Sequence, residues 1–428
     1  MTTKHASIDD IDSALALRRL LATLLVIAMG NGIMYVVSVV LPVVQKEFGV
    51  TRADAALPYT LLMLGLGVGG IFMGKMADRH GAMRPLLIGG VATCVGYMVA
   101  AHAQSLWTFS LAHGMILGLL GSSVTFAPLM ADTAQWWSRR RGIAVAVCAS
   151  GNYLAGAFWP PVVQWGVAQW GWRDTYQMLG LVCGCGMLCL TLMFRLRPPR
   201  PTEAPSAAAP DAHATTATPA TPAKGATAWV SEQPLGLPRV QALALLSLAG
   251  LACCVAMSMP QVHIVAYCTD LGFGPARGAE MLSLMLASGI VSRLLSGFIC
   301  DRIGGLRTLL LGSVLQGLAL LLFLPFEGLA SLYLASALFG LFQGGIVPSY
   351  AIIIREYFPA ARAGSQTGTV IMATMLGMAL GGWMSGAIFD ATGSYKMAFL
   401  NGIAWNLFNL AIATFFFRRA RALKQLRA

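Results

Sequence analysis

Charged residues are scarce in this sequence: Asp, Glu, Lys and Arg together make up 11% of its 428 residues. Soluble globular domains carry about 25% charged residues, because their surface must stay hydrated. Hydrophobic residues, in contrast, reach 57% of the chain. This balance excludes a soluble globular protein and indicates a chain that lies in a lipid bilayer.

Patterns for metal binding and catalysis are also missing. The nine cysteines lie inside apolar runs, without the histidine partners or the spacing of a zinc or haem site. The sequence contains no phosphate-binding loop and no nucleophile triad. We therefore expect a protein that is not an enzyme and that holds neither a metal ion nor another cofactor.

Twelve apolar runs are long enough to cross a bilayer, which takes about 20 residues of helix. The first six occupy about 20–44, 57–77, 84–103, 107–131, 142–165 and 172–194, and the second six occupy about 240–268, 279–299, 306–325, 330–353, 365–388 and 396–417. Residues 197–238, rich in Ala, Pro and Thr, separate the two sets and are expected to form a disordered linker. The sequence thus predicts an all-α membrane protein with six-helix units at 1–196 and 239–428, the second ending in a basic tail.

The net charge of +12 would suggest nucleic-acid binding in a soluble protein. Here most Lys and Arg residues fall on one set of loops, together with both termini and the linker. The opposite loops hold only Lys46, Arg52, Arg173, Arg277 and Lys396. Basic residues concentrate on the cytoplasmic side of membrane proteins. We therefore expect a multi-pass protein of the cell inner membrane, with both termini in the cytoplasm and no nucleic-acid partner.

A short pattern occurs at the same place in both halves of the chain. Predicted helices 2 and 8 each end in G-x-x-x-D-R-x-G, formed by Gly74, Asp78, Arg79 and Gly81 in the first half and by Gly297, Asp301, Arg302 and Gly304 in the second. Parallel repeats of this kind place the substrate between the halves near the midplane, and transport follows when one half rocks against the other. We expect these elbows to act in gating; the alternative is that they only cap a charged inner loop.

With these elbows, the chain resembles the major facilitator superfamily over nearly its full length. Predicted helices 4 and 5 narrow the resemblance to the monocarboxylate porters and oxalate/formate antiporters, because they contain W-W-S-R-R-R-G at 136–142, S-G-N at 150–152 and G-W-R at 171–173. A single Arg inside predicted helix 8, here Arg293, is a further similarity to that branch. The resemblance implies two pseudo-symmetric six-helix bundles, a small organic anion as substrate, and Tyr35 and Asn152 on cavity faces.

Two departures from the branch limit the choice of substrate. Thr369–Phe389 in predicted helix 11 contains no Lys, whereas oxalate-type members carry one that anchors the second charge of a dicarboxylate. Gly289 stands one turn before Arg293, where the animal lactate carriers have an Asp. A dianion would therefore lack a partner charge in this chain, and the proton-coupling residues of the lactate carriers cannot be transferred to it.

Arg293 is a basic residue inside a predicted span, one turn before the second elbow. Inserting a guanidinium at such a depth costs at least ~2.5 kcal/mol, so such a group usually faces a cavity or a partner. No predicted span carries a carboxylate at matching depth, and the planar fork of Arg fits a carboxylate ligand. We expect Arg293 to bind the substrate anion; the alternative is a side chain that extends to the inner interface or binds carbonyl groups.

Other polar and aromatic side chains are candidates to line the same cavity: Asn31 and Tyr35 in predicted helix 1, Phe126 in helix 4, Asn152 in helix 5 and Gln343 in helix 10. For each residue taken singly, packing or an interhelical hydrogen bond is the better explanation. Tyr35 and Asn152 rank first among them because of the resemblance.

One face of predicted helix 7 suggests a proton-coupling site, because His263 and Asp270 lie seven residues apart on it. A structural role is the simpler explanation for each residue. The pair is nevertheless the best candidate in the sequence for moving a proton with the substrate.

Taken with the resemblance, the sequence predicts a secondary carrier of a small organic monocarboxylate such as lactate, pyruvate or formate, acting as a monomer by proton symport or anion exchange. The first alternative is a proton-driven efflux pump for drug-like molecules. Such pumps usually keep an acid inside the membrane, whereas the lone charge here is positive. The second alternative is a solute sensor without turnover, which the featureless linker and short tail do not support.

Overall fold

The computed structural model describes residues 6–7, 10–125, 127–139, 141–197, 234–359 and 362–425. Eleven helical stretches within these ranges are long and apolar enough to cross a membrane. We number the spans along the chain as follows: span 1, Ala14–Phe48; span 2, Arg52–His80; span 3, Met83–Ala101; span 4, Leu106–Trp136; spans 5 and 6, Gly142–Phe194; span 7, Arg239–Asp270; span 8, Pro275–Ile303; span 9, Gly305–Leu322; span 10, Leu329–Tyr357; span 11, Ala363–Thr392; span 12, Tyr395–Leu423.

The stretch Gly142–Phe194 contains two spans, because its helical geometry breaks at Gly171. Gly171 has φ 81° and ψ 166°, a conformation that only glycine adopts without strain. Span 5 therefore ends at this residue and span 6 begins after it. With this division the described helices make up the twelve spans that the sequence predicts, and the all-α fold is confirmed.

Both elbows have the same backbone conformation. Gly81 has φ 80° and ψ 168°, and Gly304 has φ 82° and ψ 165°. In each case the glycine N–H donates to the carbonyl of the residue four positions earlier, over 2.7 Å at Gly81 and 2.8 Å at Gly304. The repeated pattern is thus a repeated structure, and we call the end of the molecule that carries both turns the elbow side. The opposite end, where span 2 begins at Arg52, is the Arg52 side.

A buried ion pair holds the first half together near the elbow side. Nε of Arg19 lies 2.9 Å from Oδ2 of Asp132, and a second guanidinium nitrogen lies 2.9 Å from Oδ1. The guanidinium is also 4.6 Å from the ring centroids of Trp136 and Phe194. Both charged side chains are less than a tenth exposed. The pair joins spans 1 and 4, although Arg19 reads in the sequence only as part of the basic N-terminal segment.

The two halves meet on the Arg52 side and separate on the elbow side. Among the described residues, the hydrogen bonds between halves join Arg52 to Asp270, Asp390 and Tyr395, Ala53 to Asp390, Thr60 to Ala379, and Ser283 to Ala157. All of these contacts lie at mid-depth or closer to the Arg52 side. A Cβ added at Gly67 would lie 2.8 Å from Sδ of Met372, so this part of span 2 contacts span 11. Closer to the elbow side, a Cβ added at Gly70 in span 2 or at Gly368 in span 11 would meet no other described atom within 4 Å. The space between the halves therefore opens on the elbow side.

Candidate functional site

Arg293 lies in span 8, half-buried, where the two halves approach each other. Its guanidinium is 4.8 Å from the ring centroid of Tyr153 in span 5. Within the part of the chain that the structure describes, no carboxylate lies within ion-pair distance of Arg293. Its Nε is buried and has no hydrogen-bond partner there. The site thus presents a cation whose anion is not supplied by these residues.

Gly289 explains why an aromatic ring, rather than an acid, lies beside Arg293. A Cβ at position 289 would be 2.5 Å from Cε1 and 2.6 Å from Cδ1 of Tyr153. Only glycine leaves room for the ring one turn before Arg293, at the position where the animal lactate carriers have an Asp. The ring face attracts the guanidinium through a cation–π contact. Because a ring is a poor hydrogen-bond acceptor, the guanidinium fork keeps its donors for a ligand.

Tyr35 brings span 1 to the same place. Its ring lies beside Gly156, one turn after Asn152 in span 5, and Leu286 of span 8 lies beside the same glycine. Gly156 permits this approach, because a Cβ there would lie 2.9 Å from the Tyr35 ring. Spans 1, 5 and 8 therefore converge, and the structure brings together the predicted residues Tyr35, Asn152 and Arg293.

An unsatisfied polar group lies next to Tyr153 in span 5. Oδ1 of Asn152 is buried and has no hydrogen-bond partner among the described residues. An amide supplies both donors and acceptors, and a phenol hydroxyl supplies one of each. Asn152 and Tyr35 can therefore donate hydrogen bonds to an anion that pairs with Arg293.

Two other predicted residues form hydrogen bonds within their own halves. Asn31 is 2% exposed, and its Oδ1 accepts a 2.7 Å hydrogen bond from Oγ1 of Thr125. Gln343 is fully buried; its Oε1 accepts a 3.1 Å hydrogen bond from Nε2 of Gln261, while its Nε2 has no partner among the described residues. These contacts join span 1 to span 4 and span 7 to span 10, as expected from the packing alternative. Phe126, the remaining candidate, lies outside the described residues.

His263 and Asp270 belong to a second cluster, on the Arg52 side. The Asp270 carboxylate accepts hydrogen bonds of 3.1 and 3.3 Å from Arg52. Nε2 of His263 is 2.8 Å from the Gly382 carbonyl oxygen, and its Nδ1 is 3.5 Å from the Tyr395 hydroxyl. The two residues share a helix face, as the sequence predicts, and they are linked through Arg52 and Tyr395 rather than directly.

The charged elbow residues do not bind across the halves in this conformation. Asp78, Arg79, Asp301 and Arg302 are exposed. No ion pair forms between them and any other residue that the structure describes. A role of these residues in gating stays a prediction.

The comparisons with known proteins agree on one family. The sequence model of the Major Facilitator Superfamily matches residues 20–329 and 246–427. Monocarboxylate transporter 13 of Bos taurus is 27% identical over 331 residues, which cover 76% of this chain and 71% of that protein. Monocarboxylate transporter 11 of Mus musculus is 26% identical over 385 residues, covering 87% and 80%.

A bacterial relative and a solved structure extend the comparison. The uncharacterized MFS-type transporter YcxA of Bacillus subtilis is 24% identical over 360 residues, covering 82% of each chain. The crystal structure of the nucleoside transporter NupG superposes with a TM-score of 0.68, covering 95% of this chain and 99% of that one. Its identity is 14%, so this likeness concerns the fold alone.

Proposed function

Because the chain belongs to the Major Facilitator Superfamily, we propose that it is a secondary carrier that moves a small organic monocarboxylate across the membrane by alternating access. The observation that carries the proposal is Arg293, a guanidinium between the halves without a described acid partner. Lactate, pyruvate and formate represent the substrate class. The carrier works by proton symport or by anion exchange.

The geometry around Arg293 favours a carboxylate ligand. A guanidinium offers parallel N–H donors that match the two oxygens of a carboxylate, and it keeps its charge at any physiological pH. Tyr35 and Asn152 add donors from spans 1 and 5. The Tyr153 ring covers one face of the guanidinium, which excludes water from that side. A bound carboxylate would supply the acceptors that Nε of Arg293 lacks.

The count of charges favours a monoanion. Arg293 is matched by no second cation in span 11, where Thr369–Phe389 contains neither Lys nor Arg. A second carboxylate on the substrate would be desolvated without a counter-charge, which is strongly unfavourable. The names of the monocarboxylate transporters among the relatives support the same class.

We further propose that the elbow side faces the cytoplasm and that the carrier lies in the inner membrane. The support is the concentration of basic residues on the elbow-side loops and at both termini. The conformation described here would then be open to the cytoplasm. In this conformation, substrate would reach and leave Arg293 from the cytoplasm.

A proton-driven efflux pump for drug-like molecules remains the rival function, and the placement of the acids argues against a pump for cations. A pump for cations needs an acid that faces the cavity. Asp132 is paired with Arg19, and Asp270 is paired with Arg52, at 2.9 and 3.1 Å. Neither acid lies beside Arg293.

Counterflow in proteoliposomes tests the proposal. Vesicles containing purified protein are loaded with one unlabelled acid, and the uptake of labelled acid is measured against competitors. We expect lactate, pyruvate or a similar monocarboxylate to compete far better than oxalate or succinate. Stronger competition by dicarboxylates would contradict the monoanion assignment, and an imposed pH gradient that drives net uptake would distinguish symport from exchange.

A further inference from the structure

The described ion pair that joins the two halves is formed by Arg52 and Asp270. A guanidinium nitrogen of Arg52 lies 3.1 Å from one carboxylate oxygen of Asp270 and 3.3 Å from the other. Arg52 is 7% exposed although it lies at the very start of span 2. Its side chain is therefore inserted into the opposite half and does not extend into solvent.

Aromatic residues of the second half enclose the Arg52 side chain. The guanidinium is 4.9 Å from the Phe389 ring centroid and 5.8 Å from that of Tyr395. It also donates a 3.0 Å hydrogen bond to the Tyr395 hydroxyl. A single side chain thus contacts spans 7, 11 and 12. Opening of the Arg52 side must break all of these contacts together.

Asp390 holds the same point of span 2 by a different means. Its carboxylate accepts hydrogen bonds from the backbone N–H groups of Arg52, at 2.9 Å, and Ala53, at 2.7 Å. These amides are free at the start of a helix and favour a carboxylate there. Gly386 permits the approach, because a Cβ there would lie 2.8 Å from the Arg52 carbonyl oxygen. The Asp390 contact does not need the Arg52 side chain, so the two contacts can be separated by mutation.

One hydrogen-bond arrangement satisfies the groups behind Arg52. Tyr395 accepts from Arg52 and can donate to Nδ1 of His263, 3.5 Å away. His263 can then donate from Nε2 to the Gly382 carbonyl oxygen, 2.8 Å away. This arrangement requires a neutral imidazole with its proton on Nε2. His263 thereby fixes the orientation of the Tyr395 hydroxyl that receives Arg52.

Within the described residues, the two halves differ in how the acid at the end of their first span is bound. Glu47 at the end of span 1 precedes a glycine by two positions, as Asp270 does at the end of span 7. Glu47 is bound within its own half, by Trp172 and Arg173 at the start of span 6.

In the second half the basic residue near the start of span 12 pairs with another acid. Lys396, at the start of span 12, pairs with Glu327 at 2.8 Å. Asp270 is therefore left to bind Arg52, and the described part of the chain has one ion pair between halves where an exact repeat would give an internal pair in each half.

We propose that Arg52 is the latch residue of this carrier. Its insertion between Asp270 and Tyr395 keeps the Arg52 side closed, and its withdrawal is the step that opens that side to substrate. The inference rests on the alternating access of the proposed function, but it concerns the conformational equilibrium and does not depend on which solute is carried.

Cysteine accessibility without substrate tests the latch. Thr60 donates a 3.1 Å hydrogen bond to the Ala379 carbonyl oxygen across the closed interface, so Thr60→Cys reports on that side. Gly368 has open space around it on the elbow side, so Gly368→Cys reports there. Each reporter is introduced into a cysteine-free background, and the rate of reaction of the purified protein in detergent with a charged maleimide is measured.

Arg52→Gln is expected to raise labelling of Thr60→Cys by about ten- to a hundredfold, since charge-assisted hydrogen bonds are lost, and to lower labelling of Gly368→Cys. Asp270→Asn should act in the same direction, which guards against a folding defect peculiar to Arg52→Gln. Arg173→Gln is the matched control, because it breaks an ion pair at the same end of the molecule but within one half. It should leave both labelling rates unchanged.

Unchanged labelling of Thr60→Cys in both latch variants would overturn the proposal. So would faster labelling of both reporters, since that indicates loosening of the whole molecule rather than a shift between two conformations. These rates are measured without substrate, so a failed counterflow experiment would contradict the monocarboxylate assignment and leave the latch standing. A failed labelling experiment would have the reverse meaning.

Discussion

Replacement of Arg293 gives the sharpest prediction about the substrate site. If a carboxylate binds the guanidinium with two hydrogen bonds, Arg293→Ala removes both. Each charge-assisted bond contributes ~1.5–3 kcal/mol, and the lower end applies here because Arg293 is half-buried. A total loss of ~3 kcal/mol corresponds to an affinity about a hundredfold weaker. Arg293→Lys keeps the charge but loses the fork, so we expect a loss of about tenfold.

Folding should survive these substitutions. Among the described residues no carboxylate pairs with Arg293, so neither variant leaves an acid buried and unpaired. The dissociation constant for the monocarboxylate and the counterflow rate should both be measured on protein that elutes as a single species. Arg277→Ala is the matched control, because Arg277 lies in the same span but is exposed and pairs with Glu280 at its end. An Arg293→Ala protein that is well folded and transports at the normal rate would refute the assignment.

Two further predictions concern the neighbours of Arg293 and the orientation of the chain. Gly289→Ala should displace the Tyr153 ring, since the new Cβ would lie 2.5 Å from it, and should weaken substrate binding by up to about tenfold through loss of the cation–π contact. Tyr153→Phe keeps the ring and should bind normally; normal binding by Gly289→Ala would show that the ring position is unimportant. Cysteines placed in 197–238 or in the basic tail should react only from the cytoplasmic side, and labelling of intact cells from outside would reverse the proposed orientation.

Much of the fold could be predicted from the sequence because hydropathy alone determines where a chain can cross a bilayer. The twelve runs correspond to the observed spans, and even the division at Gly171 coincides with the interval between predicted helices 5 and 6. The elbows could be predicted equally well, because a turn whose backbone needs positive φ usually carries glycine. The predicted linker lies mostly outside the described residues, and it remains a prediction there.

The candidate site could be predicted from the sequence only in part. Arg293 could be found because a charge inside a span is rare. Tyr153 gave no such indication, since an aromatic residue in an apolar helix is ordinary, and its role depends on the space left by Gly289. Asn31 was predicted to line the cavity, yet its amide oxygen accepts a hydrogen bond from the Thr125 hydroxyl of span 4. Interhelical partners of this kind cannot be inferred from spacing along one helix.

The proposed latch could not be predicted for a related reason, because its partners are far apart in the sequence. Arg52 is a single basic residue in an outer loop by sequence, and its partner Asp270 is separated from it by 218 positions. His263 and Asp270 were chosen for their common helix face, which is correct, but the face is completed by Arg52 and Tyr395 from spans 2 and 12. A proton-coupling role for these two residues remains a prediction.

Both functional clusters arise where the internal repeat is broken. Aligning the elbows at Gly74 and Gly297 makes Gly70 the position equivalent to Arg293, and an added Cβ at Gly70 would meet no other described atom within 4 Å. Two exact repeats would present either two cations or none to the shared cavity. The first half has a glycine with open space around it at the position equivalent to Arg293, so this pair of positions contributes a single cation. The same reasoning applies to Glu47 and Asp270, because an acid neutralised within its own half cannot hold the halves together. The proposed selectivity for a monoanion and the proposed closure by one latch both depend on the same loss of symmetry.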